Sequence, residues 1–318
     1  MSGFWSTVFN AEFVFAIFRI TAPILFAALG AIIAEKAGVT NIGLDGMMSI
    51  AALFGTLISY WTQSWLVGVL GAVLVGMVLG LMMGFFALRL RTDIILTGIA
   101  INMLGGGGTI FLLYMFTGLR GNTSSLSSSN ILIPTVKIPL LKDIPVLGSI
   151  LSGHAVLTYL AFILVFVVRF MLNRTSTGLN IRAVGENSNA ARSVGISVKR
   201  VQYIALIMSG ALAGLGGAFM SMYYSQSWNV GMIAGRGFIA LAAEAMGRGQ
   251  PVGAMLSSLI FGFAQALETR VSGIQGVSSF LVAAIPYLVT IIGLVVFVWS
   301  SKRKADKRRR QISTSDGE

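Results

Sequence analysis

Few residues in this chain could carry out chemistry, and their number limits what that chemistry is. The sequence has a single histidine, His154, and no cysteine. A histidine-based catalytic triad, a multi-histidine metal site and a thiolate site are therefore excluded by count. The phosphate-binding pattern G-x-x-x-x-G-K-[ST] is missing, as are the nucleophile motifs of kinases and hydrolases. The sequence thus predicts a protein that is not an enzyme and has no ATPase site, metal or cofactor of its own.

A polar, glycine-rich stretch interrupts the apolar sequence near the start of the chain. It reads AEKAGVTNIGLDGMMSIAA over residues 34–52. Its glycines permit backbone conformations that other residues avoid, and its amide and carboxylate groups can satisfy unwound backbone. Irregular backbone at membrane depth is tolerated only where protein or a water-filled cavity covers it. Two interpretations stay open: a broken segment that lines a solute pathway, or a cytoplasmic loop between two helices.

A second interruption lies at residues 231–254, towards the other end of the chain. Gly237 and Gly247 bracket about eleven residues, which extend ~16 Å as a helix and cannot cross ~30 Å of hydrocarbon. This short segment contains Glu244, which fits a pathway role and a packing role equally well. Transporters often place such interrupted segments around their pathway. The candidate pathway-lining residues, including two from other apolar runs, are Gly38, Asn41, Gly43, Asp45, Gly46, Asn102, Glu244 and Gln265.

The composition is that of a polytopic membrane protein. Of the 318 residues, 55% are hydrophobic and 11% are charged, whereas soluble domains have roughly 25% charged residues. Runs of roughly 20 apolar residues cross a bilayer as helices, so the sequence predicts an all-α fold of about nine transmembrane helices (eight to ten). The predicted spans are 13–34, 47–62, 66–88, 93–116, 154–172, 200–222, 232–247, 251–268 and 280–299.

Basic residues predict how the chain is oriented. The net charge is +12, and seven Lys and Arg residues lie at 302–310, after the last span. The positive-inside rule places such a tail in the cytoplasm, so its charge favours membrane retention and lipid contact over nucleic-acid binding. Counting back puts the loop 173–199 inside, and the loop 117–152 and the N-terminus outside. We therefore expect one transmembrane domain, 1–300, a cytoplasmic tail, 301–318, and no secretory leader.

Glycines also cluster inside the apolar runs. They occur as GGGG at 105–108 and within GALAGLGG at 210–217. Small residues let helix backbones approach closely. Close helix packing is the expectation for both clusters, and a gating hinge is the less favoured alternative.

The predicted inner loop contains a segment suited to docking. Asn187 can cap a short helix that begins near Ser188. That helix would place Ala190, Ala191 and Val194 on one side. Small and polar faces suit a groove on a soluble partner, although a solvated connector helix explains the residues equally well.

Three blocks of sequence, in this order, resemble the permease subunits of ABC importers for simple sugars and nucleosides. They are EKAGVTNIGLDGMMSIAA, RAVGENSNAARSVGIS and GRGFIALAAEAMGRGQPVGA. The resemblance covers nearly the whole chain and is strongest to the nucleoside permeases that work with a basic-membrane-protein lipoprotein receptor. It implies a vitamin-B12-importer-like permease fold with inverted repeats and a cytoplasmic coupling helix.

The resemblance also implies partners and docking residues. The partners are a second homologous permease subunit that completes a heterodimeric pore, a cytoplasmic ABC ATPase and an extracellular solute-binding lipoprotein, in the bacterial cell membrane. Ser188 departs from a common proline of the family, Glu244 departs from a common apolar residue, and an extra first span of many relatives is missing. The implied ATPase-coupling residues are Arg182, Gly185, Glu186, Asn187, Ala190, Ala191 and Gly195.

The expected function is ATP-driven nucleoside import by alternating access, with ATP hydrolysed by a separate subunit. A permease for a ribose-like simple sugar is the nearest alternative. An ion-coupled carrier acting alone would need membrane-embedded acids that titrate, and Glu244 is its one good candidate. A channel or membrane scaffold is a further alternative, and it would not need ATP.

Overall fold

Eleven α-helices make up the described part of the chain. The computed structural model describes residues 10–126, 128–137 and 152–272, together with Leu288 and Val295. Three helices continue into a π-helical turn, at Phe85–Arg89, Leu104–Gly108 and Met220–Tyr224. In chain order the helices are α1 (Ala11–Lys36), α2 (Leu44–Thr62), α3 (Trp65–Gly84), α4 (Ile94–Met103), α5 (Thr109–Thr117), α6 (Val156–Arg174), α7 (Ser176–Glu186), α8 (Ser188–Ser193), α9 (Val198–Phe219), α10 (Arg236–Met246) and α11 (Pro251–Val271).

Seven helical segments of the described residues are long and apolar enough to cross a membrane. They confirm seven of the predicted spans. The predicted span 232–247 is instead the 11-residue helix α10, which is too short to cross the bilayer. The predicted span 280–299, apart from Leu288 and Val295, lies outside the described residues, as does the tail 301–318. The seven segments are Ala11–Lys36, Leu44–Thr62, Trp65–Arg89, Ile94–Thr117, Val156–Arg174, Val198–Tyr224 and Pro251–Val271.

The helix α1 lies at the centre of the bundle. Its residues are buried without a break from Ile20 to Ala34, and it packs against α6, α9, α10 and α11. Such an all-round apolar helix has no solvated face, so its sequence shows little of the amphipathic pattern of a surface helix. The centre of the bundle is therefore set by the helix that precedes the first polar interruption.

Glycines bring the helices together at backbone distance, as expected for 210–217. A Cβ atom on Gly210 would collide with the carbonyl oxygen of Gly76 on α3, and one on Gly217 would collide with the carbonyl oxygen of Met48 on α2. The glycines of the run 105–108 differ in how closely they pack. Gly105 packs on the backbone of Gly46, whereas no described atom lies within 4 Å of a Cβ built on Gly106. Close packing thus explains part of that run only.

Candidate functional site

The first polar stretch turns back into the helix bundle instead of staying outside it. After α1, Gly38 adopts a left-handed φ of +73°, and the buried Asn41 donates from its amide nitrogen to Oγ of Ser209 at 2.9 Å. Ser209 lies about eleven residues into α9, or ~16 Å along that helix. A loop wholly outside the bundle is therefore excluded for residues 41–46.

The helix α2 begins inside the bundle and receives its cap from another helix. Its N-cap is Gly43, which has no side chain to satisfy the free N–H groups of the first turn. Asn102 on α4 supplies the missing group: its Oδ1 accepts from the N–H of Gly46 at 2.8 Å. Its amide nitrogen also donates to the carbonyl of Ile42 at 2.9 Å. Asn41 completes the arrangement by accepting from the N–H of Gly43 at 3.1 Å.

The two polar interruptions meet at the start of α10. This helix also begins after a glycine, Gly235, in a left-handed conformation with φ of +75°. Oδ1 of Asp45, in the first interruption, accepts from the N–H of Gly237 at 3.0 Å. A carboxylate at a helix N-terminus interacts favourably with the helix dipole. Asp45 therefore ties α2 to α10 across almost two hundred residues of sequence.

Arginine side chains hold the same end of α10. The guanidinium of Arg236 donates to the carbonyls of Met232 and Ile233 at 3.3 and 3.1 Å, and it lies 5.3 Å from the ring centre of Tyr224. Arg19 on α1 lies 5.0 Å from the same ring centre. Two cation–π contacts on one tyrosine join α1, α10 and the end of the Val198–Tyr224 segment.

Glu244 lies at the opposite end of α10, in a pocket rich in charge. We call this the charged pocket; it has a volume of about 630 Å³ and lies between α1, α7 and the turn from α10 to α11. Burial, and to a lesser extent the negative charge of Glu35, raise the pKa of Glu244 to about 7, while Lys36 acts in the opposite direction. Gln265 lies elsewhere, buried in α11, and its Oε1 accepts no hydrogen bond from the described residues. The charged side chains of the pocket are Glu35, Lys36, Arg182, Glu186, Glu244 and Arg248.

The predicted docking segment forms two short helices, α7 and α8, at the end of the bundle that carries Lys36 and Arg174. Asn187 caps α8 as expected, since its Oδ1 accepts from the N–H groups of Asn189 and Ala190 at 3.1 and 3.0 Å. A left-handed Gly195 follows α8, with φ of +86°. Of the predicted coupling residues, Gly185, Glu186, Asn187, Ala190 and Gly195 are exposed.

Three predicted coupling residues contact the permease bundle. Ala191 is 4% exposed, and Arg182 lines the charged pocket. A Cβ atom on Gly185 would collide with the carbonyl oxygen of Lys36. The backbone of α7 therefore rests directly on the end of α1, immediately before the first polar interruption.

The family follows from comparison of the sequence with known proteins. Residues 13–298 match the family described as "Branched-chain amino acid transport system / permease component". The match spans nearly the whole described bundle. The chain belongs to this permease family. With seven apolar helical segments among the described residues, this permease is a multi-pass protein of the cell membrane.

Several curated relatives are similar to this permease over most of its length. The guanosine ABC transporter permease protein NupQ of Bacillus subtilis is 36% identical over 87% of this chain and 89% of the relative. The nucleoside ABC transporter permease protein NupC of Lactococcus lactis is 33% identical over 87% and 89%. The glucose ABC transporter permease protein TsgB13 of Haloferax volcanii is 25% identical over 85% and 72%.

A solved structure shares the fold. It is an inward-facing conformation of an ABC transporter described as of the metal-chelate type, with a TM-score of 0.50 and 15% sequence identity. The alignment covers 91% of this permease and 85% of that chain. At this identity the likeness concerns the helix arrangement alone.

Sequence reasoning missed several residues that hold the permease site together. Ser209 is a single serine in a glycine-rich run, and nothing in its surroundings predicts that it meets Asn41. Arg236 carried a usable signal, because a charged residue inside an apolar segment is expensive and commonly has a partner. Lys36 was visible only as part of the polar stretch, although its backbone supports α7 and its side chain lines the charged pocket.

Proposed function

We propose that this permease is the translocating subunit of an ATP-binding cassette importer for nucleosides. The observation that carries the proposal is the similarity to NupQ and NupC, whose names give guanosine and nucleosides as cargo, over nearly nine-tenths of each chain. A phosphate-binding loop is missing from the sequence, so the energy would come from a separate ATPase subunit. This chain would neither make nor break covalent bonds.

Alternating access needs an element with two arrangements, and ATP must favour one of them. The first turn of α2 and the start of α10 are suited to this role. Their backbone N–H groups donate to side chains, including Asn102 and Asp45, instead of only to carbonyls of a continuous helix. Their movement would open and close a pathway at the two interruptions, lined by Gly38, Asn41, Gly43, Asp45, Gly46 and Asn102. Of the other candidate lining residues, Glu244 lies in the charged pocket and Gln265 lies in α11.

The segment from Glu186 to Gly195 is the proposed docking site for the ATPase. Its exposed residues offer a surface at the end of the bundle that the positive-inside rule places in the cytoplasm. The close contact of Gly185 with Lys36 then provides a direct route from that surface to the first interruption. In this scheme Glu186, Asn187, Ala190 and Gly195 touch the motor, while Arg182, Gly185 and Ala191 anchor the segment to the permease.

The complete transporter would contain further subunits. We propose a second homologous permease that completes a heterodimeric pore, a cytoplasmic ABC ATPase and an extracellular solute-binding lipoprotein. The proposed fold is of the vitamin-B12-importer type, with inverted repeats. The likeness to an ABC transporter of known structure supports the overall helix arrangement of this fold.

A simple sugar is the second candidate cargo, because the similar protein TsgB13 is named for glucose. The discriminating experiment uses the complete transporter, purified through an affinity tag on this chain and reconstituted in proteoliposomes with ATP inside. We expect uptake of labelled guanosine that unlabelled nucleosides suppress and that a 100-fold excess of glucose or ribose leaves unchanged, while liposomes without the receptor take up none. If a sugar suppresses the uptake and unlabelled nucleosides do not, the cargo is a simple sugar and not a nucleoside.

A further inference from the structure

The charged pocket joins three parts of the permease that the proposed mechanism must connect. The end of α1 contributes Glu35 and Lys36, the docking helix α7 contributes Arg182 and Glu186, and the α10–α11 hairpin contributes the rest of the charged lining. Three of the six charged side chains are acidic and three are basic. With equal numbers of acidic and basic groups in one cavity, each charged side chain can find a new partner of opposite charge when the surrounding helices move. No buried charge is then left unpaired, which would be costly.

Close backbone contacts make the walls of the pocket move together. The helix α7 rests on the carbonyl of Lys36 through Gly185, and Gly247 packs against the backbone of Gly253 and Ala254, which fixes α10 to α11. A displacement of α7 by a docked motor would therefore press on the end of α1. The hairpin of α10 and α11 is the next rigid body in that path.

Glu244 and Lys36 approach the same point of the turn between α10 and α11. At Gly249, which has φ of +60°, the position of a Cβ atom would lie 3.1 Å from Nζ of Lys36 and 3.3 Å from Oε1 of Glu244. Within the described residues Glu244 nevertheless has no ion pair shorter than 4.0 Å. Lys36 Nζ and Glu244 Oε1 are therefore neighbours across the α1–α10 boundary, at most ~6.4 Å apart (3.1 Å plus 3.3 Å), without a direct pair in this arrangement.

We propose that the charged pocket is the joint through which the docking segment moves α10, and that Glu244 is a positioning residue that pairs with Lys36 in only one of the two transport states. The inference rests on the proposed function and adds to it the contact that transmits the motor's movement. A pair made in one state alone shifts the equilibrium between states by its full interaction energy. A pair made in both states would shift nothing.

The charge of Glu244 makes the joint sensitive to pH. Its pKa of about 7 is raised first by burial and then by Glu35, with Lys36 acting in the opposite direction. A raised pKa means that the carboxyl is mostly neutral at pH 6 and about 90% ionised at pH 8. The other charged groups that line the pocket around it are Arg182 and Glu186 from α7 and Arg248 from the turn. Pairing with Lys36 is therefore available above pH 7 and lost below it.

The test compares Glu244→Gln, which mimics the neutral acid, with the wild type in the complete transporter. Proteoliposomes containing ATP are buffered to the same pH inside and outside, between pH 6 and pH 8, and guanosine uptake per ATP hydrolysed is measured. Because the ratio of variant to wild type cancels the pH dependence of the other subunits, we expect a ratio near one at pH 6 that falls at least threefold at pH 8. If the ratio of variant to wild-type uptake per ATP is the same at every pH, the proposed role of Glu244 in the charged pocket is wrong.

A matched control and a charge exchange complete the design. Glu12→Gln removes an exposed carboxylate that pairs with Arg270 at the opposite end of the bundle, and its ratio should stay near one at every pH. Lys36→Glu and Glu244→Lys should each reduce the coupling ratio at pH 8, and the double variant should regain at least half of the loss. If the double variant has uptake per ATP as low as the worse single variant, Lys36 and Glu244 do not pair during transport. A wild type that takes up no guanosine refutes the proposed function, whereas an active wild type with a pH-independent ratio refutes the joint alone.

Discussion

At the scale of single residues, three side chains accept hydrogen bonds from backbone N–H groups that carbonyls would accept inside a continuous helix. Asn41, Asp45 and Asn102 each accept a backbone N–H that a helix start leaves free. Glycine at the caps of α2 and α10 has no capping side chain, which makes the long-range contacts of Asn102 and Asp45 necessary. A buried N–H without a partner costs about 1–3 kcal/mol, so each amide or carboxylate stabilises the broken segment where it stands.

The glycine at the start of α2 gives the sharpest prediction at this scale. A Cβ atom on Gly46 would collide with the backbone of Ile101 and Asn102. Backbone atoms cannot relieve such a clash by a change of rotamer, as a side chain could. Gly46→Ala should therefore destabilise the permease by about 1–3 kcal/mol or more, because overpacking forces α2 and α4 apart. The matched control is Gly106→Ala in the same packing region, where no described atom lies within 4 Å of the new Cβ.

Thermal unfolding of the two variants in detergent provides the measurement. We expect a lower unfolding temperature for Gly46→Ala, and for Gly106→Ala a temperature equal to or slightly above that of the wild type, because alanine suits a helix better than glycine. Equal unfolding temperatures for the two variants would show that α2 and α4 do not depend on this close approach.

The apolar runs predicted the helices well, while the contacts between helices had to come from the structure. Seven spans follow from hydropathy alone, since an apolar segment in lipid can only be a helix. The depth of residues 41–46 could not be predicted, because a polar glycine-rich stretch satisfies its backbone equally well in water or against Ser209. The asparagine cap of α8 is local in sequence and was predictable, whereas the caps of α2 and α10 come from distant helices and were not.

At the scale of elements, the docking segment depends on that local cap. Helix α8 has only six residues, and so short a helix cannot be stable on its own hydrogen bonds. Its position is set by the hydrogen bonds that the N–H groups of Asn189 and Ala190 donate to Oδ1 of Asn187 and by the burial of Ala191. The surface proposed to meet the ATPase is therefore only as well ordered as this cap.

Removal of the cap should weaken docking without unfolding the bundle. An N-cap substitution to alanine costs about 1 kcal/mol, which corresponds to about fivefold in affinity. Asn187→Ala should thus retain several-fold less ATPase when the transporter is purified through a tag on this chain. Asn187→Ser keeps a capping oxygen and should retain the wild-type amount; if both variants retain it, α8 is not the docking helix.

At the scale of the whole molecule, the permease is a bundle whose two polar interruptions meet. Asp45 joins them at one end of α10, and the charged pocket lies at the other end, beside the docking segment. The short helix α10 is thus held between a proposed pathway and a proposed motor site. Its length of 11 residues, unusable as a span, suits an element that moves within the bundle.

The central claim is that this chain moves its cargo only when a separate motor acts on it. The most direct test measures uptake of labelled guanosine against its gradient, in proteoliposomes that contain either the complete transporter with ATP or this chain alone with an imposed proton or sodium gradient. We expect accumulation in the first preparation, loss of that accumulation when ATP is left out, and no accumulation in the second preparation. Accumulation driven by this chain alone under an ion gradient would contradict the account and identify an ion-coupled carrier instead.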